Sequence, residues 1–200
     1  MIKVRPPEDF KSGEPGFYRD VPEAEYHALD ACSNSRLTNM LKSAAHCEAA
    51  IHGGYTDSPD KKFGRAMHSR LLQPDVFWDN YSVYDGDRRT KAGKESYAVA
   101  VEKVGEESAI PLKSNLTFSA MISALERHPP SWKVLSLGGL SELSALWIHE
   151  PTGLLCKMRI DRYVPELGLL VDYKTARNSD PWHFEKSLYQ WGYHRQGANY

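Results

Sequence analysis

Two short segments in the last quarter of the chain carry residue types suited to binding a hard cation. They are Arg159-Ile160-Asp161 and, after ten intervening residues, Asp172-Tyr173-Lys174. Side chains alternate along a strand, so Asp172 and Lys174 share one face while Val171 and Tyr173 take the other. The apolar run Leu169-Leu170-Val171 just before them predicts a buried strand over Leu169 to Lys174. Buried Asp and Lys are costly unless paired or bound to a metal. Asp161 ends the preceding predicted strand, which places it beside Asp172. Two carboxylates at a strand mouth form a hard-oxygen site for Mg2+ or Mn2+, with ligand distances of about 2.0–2.1 Å. A lysine beside that site can orient and activate a water, or neutralise charge on a phosphate oxygen. The same triplet also fits a plain Asp–Lys ion pair on an edge strand.

Other residues have the chemistry to join such a site. His68 follows Gly64 at helical spacing, and with Leu71 and Leu72 it shares the stripe expected to pack inward. A structural, hydrogen-bonded histidine fits that position as well. Glu142 heads a predicted strand and offers another carboxylate, or a solvated one. Gln196 and Tyr200 are four apart on the last predicted helix and continue the line Phe184, Leu188, Gly192. Polar groups on a packing stripe need a partner, either a side chain or a nucleic-acid backbone. The run Arg88-Arg89-Thr90-Lys91-Ala92-Gly93-Lys94 is the densest basic patch, and Arg36, Lys42, Arg65 and Arg70 are further cations for phosphate contact. Such a run also fits a solvated face. Trp182, Phe184 and Trp191 are expected in the core.

The elements that position these residues are legible from turn and capping signals. Residues 1–20, rich in proline, read as an irregular arm, followed by a single domain over 21–200. A short helix is expected near Glu23 to Leu29. Ser33 or Ser35 caps a helix through about His46. The segment 53–62 reads as a polar turn, Phe63 to Leu72 as a helix, and Val76 to Tyr84 as a strand. Helices follow over Glu95 to Val104 and Asn115 to Arg127. The clearest strand pair is Leu143 to His149 and Leu154 to Asp161, joined by Glu150-Pro151-Thr152-Gly153. Ser179-Asp180-Pro181 opens a final helix that runs to the last residue with no stop signal, so the chain reads as truncated. Helices, a strand cluster and a helix make an α/β or α+β layer fold.

Composition narrows the function classes. The 200 residues carry 25 Lys and Arg against 26 Asp and Glu, a net charge of −1, so any nucleic-acid contact must come from local patches. No apolar run approaches a membrane span and the start lacks the apolar stretch of a signal peptide, which predicts a cytoplasmic protein with no membrane partner. Cys32, Cys47 and Cys156 form no CxxC pair and read as packing residues in a reducing compartment.

Taken together, Gly64-x-x-x-His68, Glu142, Asp161, Asp172-x-Lys174 and Gln196-x-x-x-Tyr200 stand in the order of RecB-like nucleases of the PD-(D/E)xK superfamily. Ser33-Asn34-Ser35-Arg36-Leu37, Phe63 to His68, Thr152-Gly153 and Val171 to Thr175 resemble the exonuclease VIII (RecE) type of phages and prophages. The resemblance implies a restriction-endonuclease-like core, a central mixed sheet flanked by helices, and Mg2+-dependent hydrolysis of DNA phosphodiesters, with Mn2+ as a substitute. It makes Asp161, Asp172 and His68 metal ligands, with Tyr173 as a carbonyl ligand. Lys174 would orient the attacking water and Glu142 would assist. Gln196 and Tyr200 would contact substrate or brace the site. It further implies a 5′ to 3′ exonuclease acting on double-stranded DNA ends, a single-strand annealing partner and a ring-shaped homo-oligomer. Ile160 and Asp172 replace the Pro and Glu of the superfamily motif. The family continues with another strand and helix, which puts the activity of a chain ending at Tyr200 in doubt. An endonuclease, or a non-catalytic DNA-binding protein with this fold, is the alternative. An iron–sulfur RecB-like enzyme is disfavoured by the lack of clustered cysteines.

Overall fold

A computed structural model describes residues 2–53 and 58–199. The chain folds as two compact units, one built from its first 56 residues together with 140–200 and one from 57–139.

The first unit begins with strands β1 (Val4–Arg5) and β2 (Gly16–Tyr18), linked by a 3-10 helix over Pro7–Ser12. The expected irregular arm is therefore part of the fold. Phe10 and Tyr18 are fully buried, meeting edge to face at 5.3 Å, and pack with Val21 and Leu146. That apolar burial outweighs the local preference of a proline-rich segment for irregular backbone. Helix α1 (Glu23–Ala28) follows, then α2 (Asn34–Met40) and α3 (Ala44–His52). One helix was expected through His46. Ser33 caps α2 through the Arg36 amide, but Ser43 caps a fresh helix through the His46 amide, so the chain breaks between them.

The second unit contains α4 (Pro59–Leu72), α5 (Pro74–Asn80), β3 (Ser82–Tyr84), α6 (Lys91–Val104), β4 (Ala109–Pro111), α7 (Leu112–Glu126) and α8 (Pro129–Ser136). Strands β3 and β4 pair in parallel. Met67, Phe77 and Phe118 are fully buried here, and Phe63 lies 4.8 Å from Phe118. The strand expected from Val76 holds only over β3. Pro74 at the first helical position starts α5 instead, and Phe77 and Tyr81 stack one helical turn apart at 4.9 Å. Pro129 likewise opens α8, beyond the expected end of the helical region. Residues 54–57 of the expected 53–62 turn lie outside the described residues, and Ser58 caps α4 through the Lys61 amide.

The first unit resumes with β5 (Leu140–His149), β6 (Leu154–Val164), β7 (Leu169–Val171), α9 (Pro181–Gln190) and α10 (Tyr193–Asn199). Its sheet has the order β1-β2-β5-β6-β7, with β1 parallel to β2 and the remaining pairs antiparallel. This is a central mixed sheet flanked by helices. Consecutive residues Leu143 to Leu146 on β5 are all buried, so the middle of the sheet is covered on both faces. Leu143, Ala145, Met158 and Ile160 form the core cluster of one face.

Three expectations for this region need correction. Strand β7 is an edge strand, and Leu169 and Leu170 are 36% and 37% exposed rather than buried. The last helix is also not continuous. Gly192 takes a left-handed φ of +70°, ending α9 and restarting the chain as α10. Trp182 and Trp191 are 59% and 61% exposed, not core, and the Lys186 ammonium sits 3.4 Å over the Trp182 ring. No helix among the described residues is long and apolar enough to cross a membrane.

Candidate metal centre

The site in the first unit is built by the β5–β6 hairpin. Its turn closes with the Gly153 and Thr152 amides both donating to the His149 carbonyl, at 2.8 and 3.1 Å, and Gly153 supplies a φ of +68°. From there the ladder runs without slippage to Ser141 opposite Arg162, with Leu143 opposite Ile160. Glu142 and Asp161 therefore stand across from each other on neighbouring strands. A carboxylate oxygen of one lies within 4.8 Å of a carboxylate oxygen of the other. Like charges directly opposed on a sheet repel.

Glu142 is also held in an unusual backbone state. Its φ of +52° is left-handed, a conformation that non-glycine residues in a strand rarely adopt. Leu140 and Leu143, an odd number of residues apart, both pack against the same core cluster, so the pleat is interrupted at this residue. Strain of this kind persists only where the surroundings enforce it.

Burial raises the pKa of both carboxyls. Asp161 is pushed up to about 7, first by desolvation and then by Asp172 and Glu142, while Lys174 and the Tyr173 amide pull it down. Glu142 is raised by desolvation and by Glu23, and lowered by Arg159 and Lys174. Two half-buried carboxyls that repel each other beside limited positive charge are a hard-oxygen donor pair that a divalent cation would satisfy.

Asp172, Tyr173 and Lys174 follow β7 rather than lying within it. The Tyr173 amide donates to Asp161 Oδ2 at 2.6 Å, which takes it out of any ladder and ends the strand. Burial raises the Tyr173 phenol. The Asp172 carboxylate is divided between two partners. Oδ2 pairs with Lys174 Nζ at 2.6 Å, and Oδ1 accepts from Gln196 Nε2 at 2.9 Å. Lys174 also lies 5.4 Å over the Tyr193 ring. Helix α10 thus braces the Asp-x-Lys segment through Tyr193 and Gln196. Tyr200 lies outside the described residues.

His68 belongs to the second unit. It is half-buried on α4, and the fully covered face of that helix runs through Ala66, Met67 and Leu72. The basic run lies in the same unit. The Arg89 guanidinium is held by both Asp87 oxygens, with Nε at 2.9 Å from Oδ2, and Arg88 stacks 4.1 Å over Tyr97. Lys91 faces Glu95 at 4.0 Å and Lys94 is exposed. Gly93 is needed there because an added Cβ would lie 2.1 Å from the Asp87 carbonyl oxygen. Of the further cations, Arg36 pairs with Asp30 at 2.5 Å, Arg65 faces Glu107 at 3.9 Å, and Arg70 covers Phe77 and Trp78. Lys42 is exposed.

Sequence reasoning passed over two cations of β6. Arg159 donates from Nη2 to the Val21 carbonyl at 2.7 Å and from Nε to Ser144 Oγ at 3.3 Å, lies 4.4 Å over Tyr26, and favours the ionised form of Glu142. Lys157 is 3% exposed and donates to the carbonyls of Tyr26 and Leu29, each at 2.6 Å. Desolvation lowers its pKa to about 8. Their signal was a period-2 line of charge, Lys157, Arg159 and Asp161, along the otherwise apolar stretch 154–161.

Residues 33–200 match the family model of a PDDEXK-like domain of unknown function, DUF3799. The chain belongs to this family. A search of curated proteins found no match. As a PDDEXK-like domain the chain falls in the PD-(D/E)xK superfamily, which points to nuclease-type hydrolysis, and PDDEXK nucleases generally use divalent metals. The opposed carboxylates of this PDDEXK-like domain have the oxygen-donor chemistry for such an ion, with a lysine beside them.

Proposed function

We propose that the chain is a divalent-metal-dependent deoxyribonuclease of the RecE type, degrading linear double-stranded DNA from its ends in the 5′ to 3′ direction during recombination. The observation that carries the hydrolytic part is the Glu142–Asp161 pair facing each other across β5 and β6, with Lys174 alongside. Substrate, polarity, the annealing partner and the ring-shaped assembly rest on the resemblance to phage exonucleases.

Glu142 and Asp161 would hold Mg2+, or Mn2+ in its place, and the bound ion would supply Lewis acidity toward phosphate and lower the pKa of water. Lys174 orients the attacking water and offsets charge developing on the non-bridging phosphate oxygens. Asp172 fixes the Lys174 ammonium and contributes negative charge beside Asp161, and Gln196 fixes Asp172 in turn. Tyr173 holds Asp161 through its amide and offers its carbonyl as a further oxygen ligand. Arg159 favours the ionised form of Glu142 against the desolvation that raises its pKa. His68 and Tyr200 take the roles that the resemblance gives them, and the exposed run Arg88 to Lys94 gives sequence-independent phosphate affinity.

The test uses linear and covalently closed duplex DNA with Mg2+ and with Mn2+. The expected result is degradation of linear duplex alone, lost in Asp172→Ala with its circular dichroism and melting cooperativity retained. An Asp172→Ala protein that digests DNA as fast as wild type overturns the assignment. Cutting of closed circles replaces the exonuclease by an endonuclease. Binding without turnover in either metal leaves a DNA-binding protein.

A further inference from the structure

Cys32 and Cys156 come from distant parts of the chain yet stand side by side within the first unit. They are the partners of an isolated parallel bridge between the α1–α2 connection and β6. The Cys32 amide donates to the Leu155 carbonyl at 2.8 Å, and the Lys157 amide donates to the Cys32 carbonyl at 2.8 Å. This pattern holds the two backbones one strand spacing apart, about 4.7–4.9 Å. A disulfide accepts Cα separations of about 4.4–6.8 Å, so the bridge already lies within its range. In-register partners project to the same side, which sets the two side chains next to each other, and the Cys156 thiol donates weakly to the Leu154 carbonyl at 3.7 Å. Cys32 is half-buried and reachable, whereas Cys156 is buried and its thiol is pushed up by desolvation. Cys47 is buried elsewhere, donating weakly to the Arg36 carbonyl at 3.7 Å.

We propose that Cys32 and Cys156 form a reversible dithiol–disulfide site whose co-reactant is a small-molecule disulfide of the glutathione class. The accessible Cys32 thiolate attacks one sulfur of that disulfide, forming a mixed disulfide and releasing one thiolate. The Cys156 thiolate then attacks the Cys32 sulfur, closing the protein disulfide and releasing the second thiolate. The two protons lost by the cysteines go to the two released thiolates, and the small disulfide is the species reduced. The closed form ties β6 to the segment whose Tyr26 and Leu29 carbonyls enclose Lys157. This site is independent of the nuclease reading.

The experiment incubates the full chain with oxidised glutathione, alkylates the remaining thiols, and maps peptides by mass spectrometry without reduction. The expected product is a Cys32–Cys156 cross-link that dithiothreitol reverses, unchanged in Cys47→Ser. Closure should raise the melting temperature by roughly 5–10 °C, a shift absent in Cys32→Ser. Cys156→Ser should retain glutathione on Cys32, because nothing resolves the mixed disulfide. The proposal is overturned if wild-type Cys32 and Cys156 both remain alkylatable. It is equally overturned if glutathione stays on wild-type Cys32, or if Cys47 appears in the cross-link.

Discussion

Replacing Asp161 with Asn should make the metal-free protein more stable, and the gain should depend on pH. Asp161 rises from the ordinary 3.8 to about 7 in the folded chain, so the folded state binds its proton more tightly than the unfolded state. Stability is therefore lost as pH rises from about 4 to about 7 and stays lost above that window. At about 1.4 kcal/mol per pKa unit, the penalty is on the order of 4 kcal/mol at pH 8.5 and about 1 kcal/mol at pH 4.5. Asn keeps an oxygen for the Tyr173 amide, which donates to Asp161 Oδ2 at 2.6 Å, while removing the charge that faces Glu142. The assay is urea unfolding of both proteins in chelator at the two pH values, followed by tryptophan fluorescence, since Trp147 lies on β5. A large stabilisation at pH 8.5 that shrinks at pH 4.5 is expected. Asp161→Asn destabilising by the same amount at both pH values would refute the reasoning, because the carboxyl would then be a structural acceptor and not a strained charge.

Other outcomes follow from the same geometry. Millimolar Mg2+ or Mn2+ should raise the melting temperature of wild type but not of Glu142→Ala, checked by differential scanning fluorimetry. Glu142→Gly should abolish that metal response while stabilising the apo fold by about 1–2 kcal/mol, because glycine takes a φ of +52° without strain. Lys157→Met should cost about 1–3 kcal/mol in chemical denaturation, because the Tyr26 carbonyl loses its buried donor. Arg159→Lys should lower turnover with little change in KM, since an ammonium cannot reproduce the contacts to Val21, Ser144 and Tyr26 together.

The hairpin and the Asp-x-Lys segment were legible because their signals are local. A Pro–Gly turn, period-2 alternation and a charged triplet after an apolar run each sit within a few residues. The expectation erred where long-range packing decides. Phe10 and Tyr18 draw a proline-rich arm onto the sheet only because Leu146 is there to meet them. Leu169 and Leu170 looked buried by composition, but their strand lies at the sheet edge. Gly192 was read as one position on a helical stripe, and nothing nearby in sequence separates that use from a helix stop. In the site itself, reasoning from adjacency paired Asp161 with Asp172. Asp172 does act on Asp161, and a second, cross-strand partner, Glu142, follows once the Glu150–Gly153 turn is taken as the centre of the ladder. Arg159 and Lys157 were missed because buried cations find their partners, here main-chain carbonyls of residues 21–29, far along the chain.

The turn at Glu150–Gly153 touches neither carboxylate, yet its length governs whether they meet. Pairing in a hairpin counts outward from the tip, so one inserted or deleted residue there would displace the far end of both strands by a notch. Glu142 would then look past Asp161 toward Ile160 or Arg162, and the opposed carboxylates would be lost. A solvent-facing loop about 26 Å away thus acts as the gauge that aligns the cation ligands, and its tolerance for insertions should be far lower than its exposure implies.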